Sequence, residues 1–227
     1  SFSMDKFTIV KELGKGGQGS TVKIKRKKDG VYFAAKRIAC QNIQHANSAL
    51  HEAKTLQCLQ HSGIVKYEDF FLHQEQNKGS SLIFVIIVME LCHCDLSDEI
   101  LRHQPTRSFI QEGTIIKWSR ELFSALEYIH FQRILHRDVK SQNLFVTSNG
   151  SVRLGDFGHS KKFCDGMESR VGTMCYLSPE VLRSESYSEP ADMWGAGCIL
   201  LEMLTLSLLW QRRGVLGAQC LTSPVLP

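Results

Sequence analysis

No stretch of this chain is apolar enough, for long enough, to cross a bilayer as a helix. Residues 82–89 form an apolar run too short to span, which predicts a buried strand. Residues 194–210 form a longer one, but Glu202 sits mid-segment and Gly195 and Gly197 interrupt it, which predicts a buried core helix. The eight cysteines lack any repeated spacing and no secretory leader precedes them, so reduced thiols are expected rather than a disulfide framework. Cys92-His93-Cys94 has no second ligand pair at finger-like spacing, which argues against zinc. Internal repeats and low-complexity segments are also missing. The excess of positive charge is small, a net +4. Basic residues do cluster at 23–28, but Asp29-Gly30 follows directly, so a solvated hairpin is the reading rather than a nucleic-acid or membrane patch.

What is present is an ordinary globular composition, 43% hydrophobic and 22% charged, in 227 residues. That is enough to bury one or two cores without staples. Alternation predicts three strands of an antiparallel sheet at residues 7–13, 21–25 and 31–39. Leu50, Ala53, Leu56 and Leu59 predict a helix over 48–60. Strands at 64–72 and 82–89 follow, with a polar loop at 74–81. Beyond Cys94 the pattern turns helical: a short helix at 95–102 closed by Pro105, then a long one at 112–131. The apolar stripe of the latter is Ile115, Ile116, Leu122, Ala125, Leu126 and Ile129. Residues 135–154 read as short strands and loops, and Pro190 fits the first turn of a final helix running toward Thr205. The order predicts an α+β chain of two lobes, joined near residues 90–94.

The chemistry-bearing residues fall in four places. Gly14-Lys15-Gly16-Gly17-Gln18-Gly19 fits G-x-G-x-x-G; a strand and not a helix follows, so the loop is expected to fold as a hairpin whose backbone approaches phosphates. Lys36 ends an Ala34-Ala35-Lys36 run in a strand that reads as buried, where a charge needs a partner. Glu52, on the inner face of the next helix, is that candidate, and the pair would hold Lys36 against the α- and β-phosphates. In the run His136-Arg137-Asp138-Val139-Lys140-Ser141-Gln142-Asn143, Asp138 is the candidate base or orienting group for a substrate hydroxyl. Lys140 is placed to neutralise charge on the transferring group. Asn143 and Asp156, the latter opening Asp156-Phe157-Gly158, offer hard oxygen ligands for magnesium across a hairpin expected at Ser148-Asn149-Gly150. His136 reads as packed beneath Phe157 rather than as a base. Together these residues are what moving a phosphoryl group from ATP to an alcohol requires.

With these residues the chain resembles a eukaryotic protein kinase, and within that superfamily it is similar to the NIMA-related serine/threonine kinases. Beyond residues 136–145 and Gly155-Asp156, residues 171–180 (Val-Gly-Thr-Met-Cys-Tyr-Leu-Ser-Pro-Glu), 61–67 and 87–92 carry the likeness, which extends from about residue 7 to 206. The resemblance implies a bilobal fold: a small antiparallel sheet lobe with one helix (1–92), and a mainly helical lobe (93–206) lacking its last helices. A divergent tail (207–227) follows. It implies ATP with Mg2+, for which Mn2+ can substitute, and protein substrates bearing Ser or Thr, with neither nucleic acid nor a membrane span.

By the same resemblance, Leu13, Gly14, Gly16, Gly19 and Thr21 would line the nucleotide from the glycine loop. Met89 would stand beside adenine, with backbone groups of Glu90 and Cys92 on its edge and Ala34 and Phe145 against its faces. Lys140 is the serine/threonine-kinase pattern, and Thr173 would help hold Asp138 and the acceptor. Residues 159–178 would be the activation loop, with Ser169 a phosphorylation site that Arg137 pairs. Cytoplasm is the implied location, with cytoskeleton, centrosome and nucleus as the family's other settings.

Departures from the family pattern are Gln18 for an aromatic residue, Thr21 for valine and Met174 for proline; none removes a charge the chemistry needs. After Leu206 the likeness ends, and the arginine that would pair with Glu180 is missing unless Arg212 or Arg213 substitutes. The final helix is therefore expected to expose apolar area that invites a partner, as in the product of an alternative or truncated transcript. Two functions follow. The charged catalytic residues favour an active kinase; the missing helices favour a catalytically silent kinase-like module that competes for the partners of a longer form.

Overall fold

The first forty residues form three antiparallel strands, β1 (Phe7–Gly16), β2 (Gly19–Arg26) and β3 (Tyr32–Cys40), with Phe7 buried on β1, Val22 and Ile24 at alternate positions on β2, and Phe33, Ala34, Ala35 and Ile38 on β3. The computed structural model describes residues 4–16, 19–77, 80–106, 108–162 and 172–211. The chain divides into two units, Ser1–Gln60 with Val65–Cys92 and His61–Ile64 with His93–Pro227.

In the first unit, helix α1 (Ile43–Cys58) and strands β4 (Tyr67–Asn77) and β5 (Ser80–Glu90) complete a five-stranded sheet of order β1-β2-β3-β5-β4. Side chains on one face form a core of Phe7, Val22, Ile24, Phe33, Ala35, Phe71, Ile86 and Val88. Within it the Phe7 ring stacks on Phe71 at 6.1 Å and meets Phe33 edge-on at 6.4 Å. α1 packs against β3, β4 and β5. β5 is therefore covered on both sides, with Val85, Ile86, Ile87 and Val88 fully buried, and this explains its unbroken apolar run.

Two expectations need correction here. Within the segment 74–81, expected as a loop, residues 74–77 and 80–81 are strand: β4 runs on to Asn77 and β5 starts at Ser80, paired as Gln74–Ile83, Glu75–Leu82, Gln76–Ser81 and Asn77–Ser80. Backbone pairing extends this hairpin without needing an apolar side-chain pattern. α1 also starts five residues earlier than its apolar spacing suggests. Asn42 caps it, its side chain accepting from the His45 N–H at 2.8 Å, and the first turns are largely exposed and carry no stripe.

The second unit holds β6 (Cys94–Asp95), α2 (Leu96–His103), α3 (Glu112–Phe131), β7 (Ile134–Leu135), β8 (Leu144–Val146), β9 (Val152–Leu154), β10 (Lys161–Lys162), α4 (Pro179–Leu182) and α5 (Glu189–Thr205). β6, β8 and β9 form one small sheet, and β7 pairs with β10. The β8–β9 hairpin turns at Gly150, whose φ is +72°. The Gly150 carbonyl accepts from Trp118 Nε1 at 3.0 Å and Lys117 Nζ at 2.7 Å. That contact buries Trp118, while Ile116, expected in the core stripe of α3, is 42% exposed.

α5 is the pillar of this unit, and its two glycines differ. A Cβ on Gly195 would lie 2.6 Å from the Val139 carbonyl oxygen, so this glycine lets the helix touch the loop that follows β7. Gly197 is exposed with open space above it. Gly195→Ala should therefore destabilise by about 1–3 kcal/mol, and Gly197→Ala should stabilise by up to about 1 kcal/mol. Urea denaturation of the two variants checks this; equal effects would remove the close-approach argument.

α5 is capped at its C-terminus by left-handed Leu206, φ +51°, whose carbonyl accepts from Gln104 Nε2 at 2.7 Å. The chain beyond it is not loose at once: Leu208 and Leu209 are fully buried. Apolar surface does remain around this unit, including Leu204 (57% exposed) and Phe131 (84%). Among the described residues no helix is long and apolar enough to cross a membrane.

Candidate active site

The loop after β7 carries Asp138, and its carboxylate collects four hydrogen bonds. Oδ1 accepts from the Thr173 N–H at 3.0 Å and the Thr173 hydroxyl at 3.0 Å. Oδ2 accepts from Lys140 Nζ at 2.6 Å and Asn143 Nδ2 at 3.0 Å. Lys140 also donates to Thr173 Oγ1 at 2.7 Å, closing a ring of Asp138, Lys140 and Thr173. Burial alone pushes the Asp138 carboxyl up; the hydrogen bond and charge of Lys140, with the Thr173 hydroxyl, outweigh it and leave the group below the ordinary aspartate value.

Asn143 is buried, and its Nδ2 is committed to the Asp138 carbonyl at 2.8 Å as well as to the carboxylate. Its Oδ1 is thereby turned away from Asp138 as an acceptor, as a hard cation requires. Gly155 N–H donates to the Asn143 carbonyl at 2.9 Å, tying the segment before Asp156 to Asn143. Asp156 itself is left-handed, φ +57° and ψ +72°, a strained position that aspartate tolerates better than most residues. Among the described residues no cluster of three or more His, Cys, Asp or Glu side chains is arranged to hold a metal. The donor set of Asn143 and Asp156 fits magnesium as a cation that takes few protein ligands and completes its shell from phosphate and water.

His136 is fully buried, 4.8 Å from the Phe157 ring centroid and edge-on to it. Its Nε2–H donates to the Gly155 carbonyl at 2.9 Å, and Nδ1 accepts from the Asp138 N–H at 3.3 Å. Both ring nitrogens are thus engaged by backbone groups, which leaves neither to act as a base.

The group that holds this loop was not among the sequence candidates. Asp192, in the first turn of α5 and fully buried, accepts from the backbone N–H of His136 and of Arg137, from His130 Nε2 and from the Tyr187 hydroxyl, each at 2.9 Å. Burial raises its pKa, but the bond from His130, the His136 ring and the two backbone N–H groups reverse the shift and depress it. In the sequence it looks like any acid at a helix start, where the dipole favours it. In the sequence Glu202 reads only as a charge in an apolar segment. It is fully buried and accepts from the Tyr176 hydroxyl at 2.6 Å and the Leu209 N–H at 2.8 Å; Tyr176 in turn meets Ser141 Oγ at 3.1 Å.

Two depressed aspartates give a pH prediction. The stabilisation they provide is complete above the ordinary aspartate value of 3.8 and is lost as pH falls below it toward their folded values. Unfolding free energy should drop steeply only below that point, with a shallower slope in Asp192→Asn. Urea titrations from about pH 3 to 6 read the slopes; identical ones would remove Asp192 from the account.

In the first unit Lys36 Nζ lies 2.7 and 2.9 Å from the two carboxylate oxygens of Glu52, which is 1% exposed. Cross-strand pairing sets Thr21 opposite Lys36, and Ala34 opposite both Lys23 and Met89, so Thr21, Ala34 and Lys36 share one face of the sheet. Glu90 N–H donates to the Lys66 carbonyl at 2.9 Å. Gly16 pairs with Gly19, closing the expected hairpin, and Gly19 (φ +153°) has room for no side chain, because a Cβ would overlap the Arg37 carbonyl at 1.9 Å. Gly14 has open space above it, and Leu13 is 43% exposed. Phe145, in the second unit, is half-buried on β8, and Cys92 is half-buried too. Arg137, with φ +70°, is buried; burial lowers its pKa, and its guanidinium carbon lies 5.7 Å from the Tyr187 ring centroid. Ser169, Gln18, Arg212 and Arg213 lie outside the described residues.

Comparison with known proteins agrees with this geometry. The family model described as protein kinase domain matches residues 7–220, past the point where the likeness was expected to stop. The chain is 39% identical to "Probable serine/threonine-protein kinase nek2" of Dictyostelium discoideum over 212 residues, 90% of this chain and 49% of that protein. It is 34% identical to "Serine/threonine-protein kinase Nek1" of Mus musculus over 209 residues, 89% of this chain and 16% of that protein. To "G2-specific protein kinase fin1" of Schizosaccharomyces pombe it is 33% identical over 241 residues, 95% of this chain and 32% of that protein. The chain thus spans about half or less of the length of these relatives. With the antiparallel sheet unit, the helical unit and the Asp138 ring in place, the chain belongs to the protein kinase domain family and is similar, within it, to the NIMA-related serine/threonine kinases.

Proposed function

We propose that this chain is an ATP- and magnesium-dependent kinase acting on serine and threonine hydroxyls of proteins. The observation that carries the reading is the ring of Asp138, Lys140 and Thr173, with Asn143 behind it. ATP with its magnesium supplies the transferable phosphoryl group. Asn143 Oδ1 and the Asp156 carboxylate would hold the metal, and Lys36, kept in place by Glu52, would hold the phosphates. Leu13, Gly14, Gly16, Gly19, Thr21, Ala34, Met89, Phe145 and backbone groups of Glu90 and Cys92 would take the nucleotide. The Glu90 N–H is engaged with Lys66, so its carbonyl is the group offered to adenine.

A carboxyl with a depressed pKa and four donors is a weak base. Asp138 therefore acts first by orienting the incoming hydroxyl, which displaces one donor and passes on its proton late, as a loose phosphoryl transition state permits. Lys140 stays within reach of the transferring oxygen atoms and offsets their charge. Thr173 selects the pose of the acceptor. Phosphate on Ser169, paired by Arg137, would order the segment between Asp156 and Glu180. Ser169→Ala is expected to weaken activation; unchanged activity together with no phosphate at Ser169 by mass spectrometry would remove that switch.

Incubation of the purified chain with radiolabelled ATP, magnesium and a generic protein acceptor tests the reading. Label should enter serine and threonine, and Asp138→Ala should lower it by about 100-fold or more. Signal no higher than the Asp138→Ala blank would replace the enzyme by a silent kinase-like binding module.

A further inference from the structure

The sheet face that carries Thr21, Ala34 and Lys36 continues toward the hairpin at Asp29-Gly30 as a group of lysines. Lys11 stands directly opposite Lys23 across β1 and β2, Lys25 is two residues further along the same face, and Tyr32 stands opposite Lys25. Two of the three ammoniums share one ring: Lys23 Nζ lies 4.4 Å and Lys25 Nζ 5.5 Å from the Tyr32 centroid. Among the described residues none of these three lysines forms an ion pair.

The next residue of the same strand behaves differently. Arg26 points to the other face, where Asp29 and Glu68 both bind its guanidinium and the Phe33 ring lies 4.7 Å away. One strand therefore neutralises its cation on one side and leaves two without a carboxylate on the other, facing a third. Like charges directly opposite each other weaken a strand pair, and two cations on one ring compete for its negative face. Folding alone does not favour this arrangement.

We propose that Lys11, Lys23 and Lys25, gathered around Tyr32, form a docking surface for an acidic, extended polypeptide segment. Alternate residues of an extended chain fall about 6.6–6.8 Å apart on one side. Acidic side chains at every second position therefore match the pitch of Lys23 and Lys25, and Lys11 lies about 5 Å to one side. A single-stranded nucleic acid would need an open aromatic platform for its bases, and the Tyr32 ring is already taken by ammoniums. The proposal does not depend on phosphoryl transfer, and binding is read without ATP.

The probe is a fluorescein-labelled peptide of about ten alternating Glu and Ser residues, titrated with the full chain by fluorescence anisotropy. Saturable binding is expected at low salt and should weaken as salt approaches about 0.3 M. Lys11→Gln/Lys23→Gln/Lys25→Gln should lose affinity roughly tenfold, as expected for three exposed pairs, with a melting temperature no lower than the parent. Lys54→Gln/Lys66→Gln/Arg120→Gln removes equal charge elsewhere and should stay within about twofold of the parent. Equal loss in both triple variants would reduce the effect to net charge and overturn the proposal. Absence of saturable binding would overturn it too, as would tighter binding of a single-stranded oligonucleotide of equal charge.

Discussion

Asp192→Ala should be the most damaging single change in the second unit, lowering stability by about 3–5 kcal/mol. The carboxylate is fully buried and satisfies four donors from three parts of the chain: His130 on α3, the backbone of His136 and Arg137, and Tyr187. Alanine leaves two buried backbone N–H groups with no acceptor, and water does not reach them easily. In a chain of 227 residues this corresponds to a fall in melting temperature of roughly 10 °C. Because the lost bonds hold the residues just before Asp138, any folded fraction should also be slow in phosphoryl transfer. Asp192→Asn retains an acceptor oxygen and should fall between the two. A melting temperature within about 2 °C of the parent would show that the loop is held by other means.

Lys36→Met is expected to lower turnover by about 100-fold or more, since it removes a fixed charge from the phosphates. Its structural effect is larger than the sequence suggests. Glu52 is 1% exposed, and replacing the lysine takes a charged partner from a buried carboxylate. The double variant Lys36→Met/Glu52→Gln separates the two roles: stability should recover toward the parent while activity stays low. Melting curves and radiolabel incorporation on the same samples give the answer. Activity equal to the parent in Lys36→Met would reject the phosphate role, and a double variant no more stable than the single would reject the buried-charge argument.

The elements were legible wherever burial is one-sided. β2 and the long helix α3 show their periods plainly, and α3 lies at its expected bounds, 112–131. Legibility failed where the backbone and not side-chain burial makes the structure. The β4–β5 extension over 74–77 and 80–81 is held by main-chain pairing, and the first turns of α1 rest on the Asn42 cap. Trp118 displaced Ile116 from the core because its indole N–H found the Gly150 carbonyl, a partner 32 residues away.

By itself the sequence determined which reactive groups exist and in what order: the glycine loop, Lys36, Asp138, Lys140, Asn143 and Asp156. Those groups sit in short runs whose spacing is set by bonds along the chain, so a linear reading recovers them. Only the tertiary structure decided what holds them. Asp192 and Glu202 acquired their partners from segments dozens of residues away or around a turn of backbone. A buried carboxylate becomes stable only where several donors converge on it. That convergence depends on packing α5 against the loop after β7, a contact that Gly195 permits and that no local pattern announces.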